Sequence, residues 1–549
     1  MIARALCCLL LALVGAGLGA ASASAHATLV RTTPADTAVL RVQPQQVRLQ
    51  FSEPVELGPN SLRLLDATGA QVKTAAPVHA GGSVALLPLP PRLARGTYVV
   101  AWRVTSADSH PVSGAFSFSV GAASSLVDTS ATGSASRAVE VADAVGRGVS
   151  FLGFALLIGA ACVLVLLWPG AASARGRRVI WVGAGASVVG TVAVLLLQGP
   201  YAAAEGLGGA FKPSLISFSL STRFGHALVA RLLLTLALCV VLAALLGDAR
   251  GWLRARLGRR ALLALAAACT VGLALTWTLT DHSRTGVQPG LGVPVASLHL
   301  LAMALWLGGL VLLVVCALAR DESLPAGAIA RFSRLALGCF AVLAASGVYL
   351  AWRQSGSLPA LPATVFGRLL LIKTGAVLAI VALAFRSRRA VGRGGADLLA
   401  RLRRTIGGEA LLAVGVLGVT AALVNTAPAR VAYAPPLNVT VAVPAGGRSP
   451  LTGGRIQVHM EPAKQGANVV DVYLVTRGGA LFAAPELTAR LLPPGDDVGP
   501  LPVKLASAEP GHYVADQLTV PYAGHWALRL EIRTSDVDET DVDVPVRIR

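Results

Sequence analysis

Residues 150–168 read SFLGFALLIGAACVLVLLW, a run without a single charge. At 1.5 Å per helical residue it is long enough to cross the ~30 Å hydrocarbon core of a bilayer. With its neighbours it forms the first of eight such stretches, near 148–168, 179–199, 224–247, 261–280, 293–317, 329–352, 367–386 and 406–426. Hydrophobic residues make up 54% of the 549-residue chain and the mean hydropathy is +0.66, well above a soluble protein of this length. The reading is a multidomain membrane protein built around an eight-helix transmembrane bundle.

The net charge of +19 would suit a nucleic-acid binder if it were spread over a soluble surface. It is not: residues 430–549 hold 11 basic and 13 acidic residues. The excess lies in short arginine-rich loops between apolar runs, so no nucleic-acid partner is expected. Arg175, Arg177 and Arg178 follow the first span, and Arg250, Arg254, Arg256, Arg259 and Arg260 follow the third. Arg320, Arg331 and Arg334 surround the junction of the fifth and sixth, and seven arginines from Arg386 to Arg404 precede the eighth. The positive-inside rule makes these four loops cytoplasmic and places both termini outside a cell (inner) membrane, the lipid bilayer being the first partner.

Upstream, residues 1–25 have the form of a secretory signal: Arg4, an apolar run from Leu6, and Ala23-Ser24-Ala25 before the expected cut. Residues 26–121 then alternate polar and apolar in short runs, as in Val47 to Ser52, Ser61 to Leu65, Tyr98 to Val104 and Ala115 to Val120, which predicts a small β-sandwich. Residues 122–144, rich in Ser, Ala, Thr and Gly, read as a linker into a membrane domain over 145–428. Leu437 to Val441 and Trp526 to Leu530 alternate again, so 429–549 reads as a second extracytoplasmic β-sandwich. The acidic run Asp536, Asp538, Glu539, Asp541 and Asp543 reads as a solvated hairpin, because it lacks the glycine spacing of a Ca²⁺ loop. Cys7 and Cys8 leave with the signal, and the other five cysteines sit singly in apolar runs, so no disulfide framework is expected.

Cleavage after Ala25 would make His26 a free N-terminus, whose α-amine and imidazole Nδ1 can chelate one ion. Asp108 and His110, in Ser106 to Pro111, add a carboxylate and a second imidazole two residues apart. Amine, imidazoles and carboxylate in a near-square set suit Cu(II). Glu53 in Phe51-Ser52-Glu53-Pro54 is a weaker candidate, as an outer-shell or axial oxygen, and His79 reads as solvent-exposed.

His26 to Val30 with Thr33-Pro34-Ala35, Phe51 to Pro54, Tyr98 to Trp102 and Ser106 to Pro111 together resemble the CopC family of periplasmic copper-binding domains, cupredoxin-like β-sandwiches. The resemblance implies His26, Asp108 and His110 as Cu(II) ligands with Glu53 nearby. The methionine-rich Cu(I) loop of some members is missing, since the only methionines are Met1, Met303 and Met460. Leu197 to Tyr201, Ser221 to Gly225, Leu298 to Ala302 with Trp306 to Gly309, Arg331 to Arg334, and Glu409 through Thr426 resemble the CopD copper-resistance family. The last domain is loosely similar to YtkA-type extracytoplasmic sandwiches.

Polar groups inside spans are costly and tend to face a cavity or a partner. His226, Asp281, His282, His299, Gln198 and Asn425 all fall in the outer half of the expected bundle. Met303 lies four residues after His299, on the same helix face and one turn deeper. His299, His282, Met303 and His226 are therefore candidates for a membrane entry site, with Met303 favouring Cu(I) and so calling for reduction on the way in. The expectation is a copper-binding and copper-transport protein, not an enzyme. It would capture Cu(II) outside and pass copper inward, with an extracytoplasmic chaperone or reductase as partner. No nucleotide-binding motif is visible, so transport would be passive or ion-coupled. The alternatives are a membrane-tethered copper buffer without transport, a histidine-brace copper oxidase, which the anionic Asp108 argues against, and a b-type haem protein using His226 and His299.

Overall fold

The computed structural model of the chain describes residues 27–548 apart from 28, 108–110, 125–135, 168–173, 248–251, 282, 285–286, 319–327, 394–411, 413–414, 417, 421, 425, 445–448, 495–498 and 536. Among the described residues the order is sandwich, helical bundle, sandwich.

The first sandwich stacks two sheets. One runs β1 (Leu29–Thr33), β3 (Gln46–Phe51), β8 (Val84–Pro88) and β7 (Val78–His79). The other runs β2 (Ala38–Leu40), β10 (Pro111–Val120), β9 (Gly96–Ser106), β5 (Leu62–Leu65) and β6 (Gln71–Val72), with β4 (Val55–Glu56) also on β9. The period-2 pattern is obeyed: Val47, Leu49 and Phe51 point inward from β3 and meet Val100, Trp102 and Phe118. Phe51 and Trp102 meet edge to face at 5.3 Å, worth ~0.5–1.5 kcal/mol beyond burial. Gly114, opposite Trp102 in the β9–β10 ladder, leaves room for that indole to lie across the strand; a Cβ there would stand 2.6 Å from the ring.

The bundle comprises α1 (Arg137–Cys162, continued by a π-helical turn to Leu167), α2 (Ala174–Ala203), α3 (Pro213–Ser221), α4 (Arg223–Leu246), α5 (Trp252–Thr278, broken at Gly258), α6 (Pro289–Leu318), α7 (Ala328–Ser355) and α8 (Val365–Arg393). All but α3 are long and apolar enough to cross a membrane, giving seven candidate spans among the described residues. About half of the eighth expected stretch, 406–426, falls outside them. Ser136 caps α1, its hydroxyl accepting from the Val139 N–H, and the helix therefore begins before the apolar run.

Small residues set the helix spacing. Gly153 of α1 lies against the backbone of Gly183 and Ser187 on α2, and Gly308 of α6 against the Ala155 carbonyl. A side chain at either would collide with backbone. Gly153→Leu should therefore cost more than the ~3 kcal/mol usual at the upper end of overpacking, and the folded yield in detergent extracts should collapse. Gly185→Leu, which meets nothing within 4 Å, should leave the size-exclusion profile unchanged.

The C-terminal sandwich pairs β11 (Leu437–Ala442), β12 (Arg455–Glu461), β13 (Gly466–Val475), β17 (His512–Val520) and β16 (Ala506–Glu509) in one sheet. The other holds β15 (Leu501–Val503), β14 (Glu486–Leu492), β18 (Gly524–Arg533) and β19 (Glu539–Ile548). Arg529 and Asp543 form a bidentate pair across the β18–β19 hairpin. That pair places Asp543 of the acidic run on an exposed hairpin.

Candidate metal centre

Three stretches of the first sandwich meet at one end. β1 starts beside the end of β3, with Leu29 opposite Phe51, and Ala27 just before it is buried in the core. Two residues past Phe51 comes Glu53, half-buried, with its Oε1 shielded from solvent. Val55 then pairs with Ser106, the last residue of β9, and Thr105 faces Pro111, the first of β10. The chain neighbours of every Cu(II) candidate thus lie at the same end of the domain. His26, Asp108 and His110 themselves lie outside the described residues, as does His282. Among the described residues no group of three His, Cys, Asp or Glu side chains is placed to hold a metal.

This end of the sandwich docks on the bundle. Arg103, three residues before the end of β9, donates from Nε to the Ala202 carbonyl at 2.7 Å and from Nη2 to the Tyr201 carbonyl at 2.9 Å. Both carbonyls belong to the last turn of α2, whose orphan C=O groups and negative dipole end favour a guanidinium. Glu56, opposite Thr105, takes the reciprocal role: its Oε1 accepts from the Arg223 N–H in the first turn of α4 at 2.9 Å. Burial pushes the Glu56 carboxyl up, opposed by that hydrogen bond and by the charges of Arg223, His226 and His79. One acid and one base of the sandwich thereby cap opposite ends of two adjacent helices. His226 sits exposed in the first turn of α4, within electrostatic reach of Glu56, and His79 is exposed on β7. His226 therefore belongs to the docking junction.

His299 lies deeper, half-buried on α6, with Nδ1 2.8 Å from the Ser346 hydroxyl of α7. That hydroxyl gives its single proton to the Val342 carbonyl at 2.5 Å. With that proton on the carbonyl, Nδ1–H is the donor to Ser346, and a neutral ring then carries its lone pair on Nε2. A neutral imidazole held in this tautomer by a second group is the form that ligates metals. Met303, one turn on, is half-buried against the bundle core, and Lys373 of α8 lies within electrostatic reach of His299.

The bundle also buries polar groups outside the expected entry site. Asp143 and Arg147 form a buried i,i+4 ion pair on α1, and Arg231 of α4 is 2% exposed. Gln198, expected as an outer-half polar residue, is fully buried on α2. Arg103 and Glu56 were missed in the sequence, because outward polar residues on strands carry no signal of docking.

Residues 29–121 match the family model of the CopC domain, 138–286 that of the copper resistance protein D-like N-terminal domain, and 326–423 that of copper resistance protein D. Over 540 residues the chain is 25% identical to the copper transport protein CutJ of Bacillus subtilis (strain 168), across 94% of this chain and 95% of that one. It is 38% identical over 116 residues to copper resistance protein C of Xanthomonas campestris pv. juglandis, across 20% of this chain and 90% of that one. Among solved structures, the CopC of Methylosinus trichosporium OB3b is 34% identical, covering 17% of this chain and 93% of that one with a TM-score of 0.16.

Proposed function

The chain belongs to the CopC family through residues 29–121 and joins that domain to CopD-family membrane segments, and from that premise we propose that it captures Cu(II) outside the membrane and passes copper inward through the bundle. At the coarser level it is a copper-handling membrane protein, and its matches bear descriptions of resistance and transport rather than of catalysis. His26, Asp108 and His110 hold Cu(II) in this reading, with Glu53 as a neighbouring oxygen. Copper then enters beside His299 and Met303. The thioether suits Cu(I), so a reductant acts between the two sites. The positive-inside rule supports this reading, with the sandwich and both termini outside.

The observation that carries the reading is the docking. The end of the sandwich that brings together the neighbours of the Cu(II) candidates is the end held to α2 and α4 by Arg103 and Glu56. A tethered buffer has no need of such a contact. It follows that Arg103→Glu, which places a carboxylate against two carbonyl oxygens, should undock the domain. Copper inside washed spheroplasts should then fall to the level of cells lacking the chain, while Cu(II) binding by the purified protein stays within about twofold of wild type. Undiminished internal copper in that variant would mean that entry does not depend on the docked junction and would remove this support from the reading.

A further inference from the structure

The sandwich-side half of the bundle holds a second polar site, away from the α6–α7 seam of His299. Arg231 of α4, 2% exposed, lays its guanidinium 3.4 Å over the Trp277 indole and donates to the Thr276 hydroxyl and carbonyl of α5, both at 3.1 Å. Trp277 in turn stacks on Phe151 of α1 at 3.8 Å. Phe151 is one turn from Arg147, whose guanidinium sits 5.0 Å from the Phe224 ring of α4 and within electrostatic reach of Arg231. Asp143 neutralises Arg147. Among the described residues no carboxylate pairs with Arg231, so the cluster carries one uncompensated positive charge in a buried environment.

Hydrogen-bonding capacity is left over as well. Arg147 Nη2, Trp277 Nε1 and both amide atoms of Gln198 are buried with no partner, as is Asp143 Oδ1. Gln198 lies level with Asp143. Gly146 packs against Val194 and Ala193, and Ser150 against Gly190, so a residue one turn beyond Val194 on α2 faces the turn of α1 that carries Asp143. Unpaired buried donors beside an unpaired buried charge are each worth kilocalories to satisfy. A bundle that conducts only a cation gains nothing from two guanidiniums there.

We propose that Arg231, Arg147, Gln198 and Trp277 form a binding site for one small inorganic anion, of chloride size and charge, held with water between α1, α2, α4 and α5. The anion supplies the missing negative charge and accepts from Nη2 of Arg147, Nε2 of Gln198 and Nε1 of Trp277. The water donates to Asp143 and to the Gln198 carbonyl. The site is separate from the proposed copper entrance and does not depend on it.

The test is equilibrium binding of radiolabelled chloride to the purified full-length chain in lipid nanodiscs, with gluconate as the balancing anion. One saturable chloride per chain is expected, displaced by nitrate and not by gluconate. Arg231→Gln should weaken binding by at least tenfold and Arg231→Lys by less. Gln198→Leu removes two unpartnered polar atoms, so it should fold at least as well as wild type and still weaken chloride severalfold. Absence of saturable chloride in the wild-type chain would overturn the proposal, as would wild-type affinity in both Arg231→Gln and Gln198→Leu. Gln198→Leu keeps the test decisive if the arginine variants fail to fold.

Discussion

Replacing His110 with alanine is expected to lower the Cu(II) affinity of the full chain on the order of 100-fold or more, beyond the ~10–100-fold that outer-shell partners command. In the proposed site His110 supplies one of two imidazoles, and the other strong donor, the His26 chelate, comes from the start of the domain's sequence. Loss of the His110 imidazole should leave Cu(II) in a partial set and remove one nitrogen coupling from its electron paramagnetic resonance spectrum. Asp108→Ala should weaken binding less and keep both imidazole couplings. The folding of the domain should be untouched, since its core rests on Phe51, Trp102 and Phe118. A competition titration against a chelator of known affinity gives the number, and an unchanged spectrum in His110→Ala would remove this residue from the site.

His299→Ala should be as severe for transport as His110→Ala is for capture. The Ser346 contact favours the neutral tautomer with its lone pair on Nε2, and no other described histidine is held this way within a span. Internal copper in cells carrying this variant is expected to match that of cells without the chain, while the purified protein binds Cu(II) normally. Ser346→Ala frees the ring without removing it, and should cost about 10–100-fold in the rate of entry. If Ser346→Ala is silent while His299→Ala is null, the imidazole acts without the tautomer lock. If both are silent, copper does not pass His299.

Much of the architecture was legible because two periodicities dominate it. Alternation in Val47 to Ser52 and Tyr98 to Val104 became β3 and β9, and seven of the eight expected apolar runs became helices whose C-terminal ends fall within seven residues of those expected. The helix starts were less legible, for a physical reason. Asp143 and Arg147 lower local hydropathy, so the apolar window opens near 148, yet the helix runs back to Arg137 with those charges buried and paired. Charge reads as solvent exposure until a partner is visible, and here the partner is one turn away on the same helix. Arg231 was open to reading, since it stands alone in an apolar run, where an ionisable residue signals function by default.

The candidate site divides in the same way. The sequence pairing of an exposed His26 with Asp108 and His110 rests on chemistry, and the described strands bring the chain neighbours of those residues to one end of the sandwich. Depth alone grouped His226 with His299, and depth does not determine azimuth. His226 stands at the domain junction near Glu56, whereas His299 turns toward α7. The contacts of Arg103 with two carbonyls of α2 join residues about a hundred positions apart, and no local pattern encodes such a contact.

Copper retained by spheroplasts, with the external pool washed away, tests the central claim most directly in cells with and without the chain at equal external copper. More internal copper is expected when the chain is present, falling back to background in His299→Ala. Equal internal copper in both strains, with the excess recovered only in the wash, would contradict it and leave a protein that holds copper outside without conveying it.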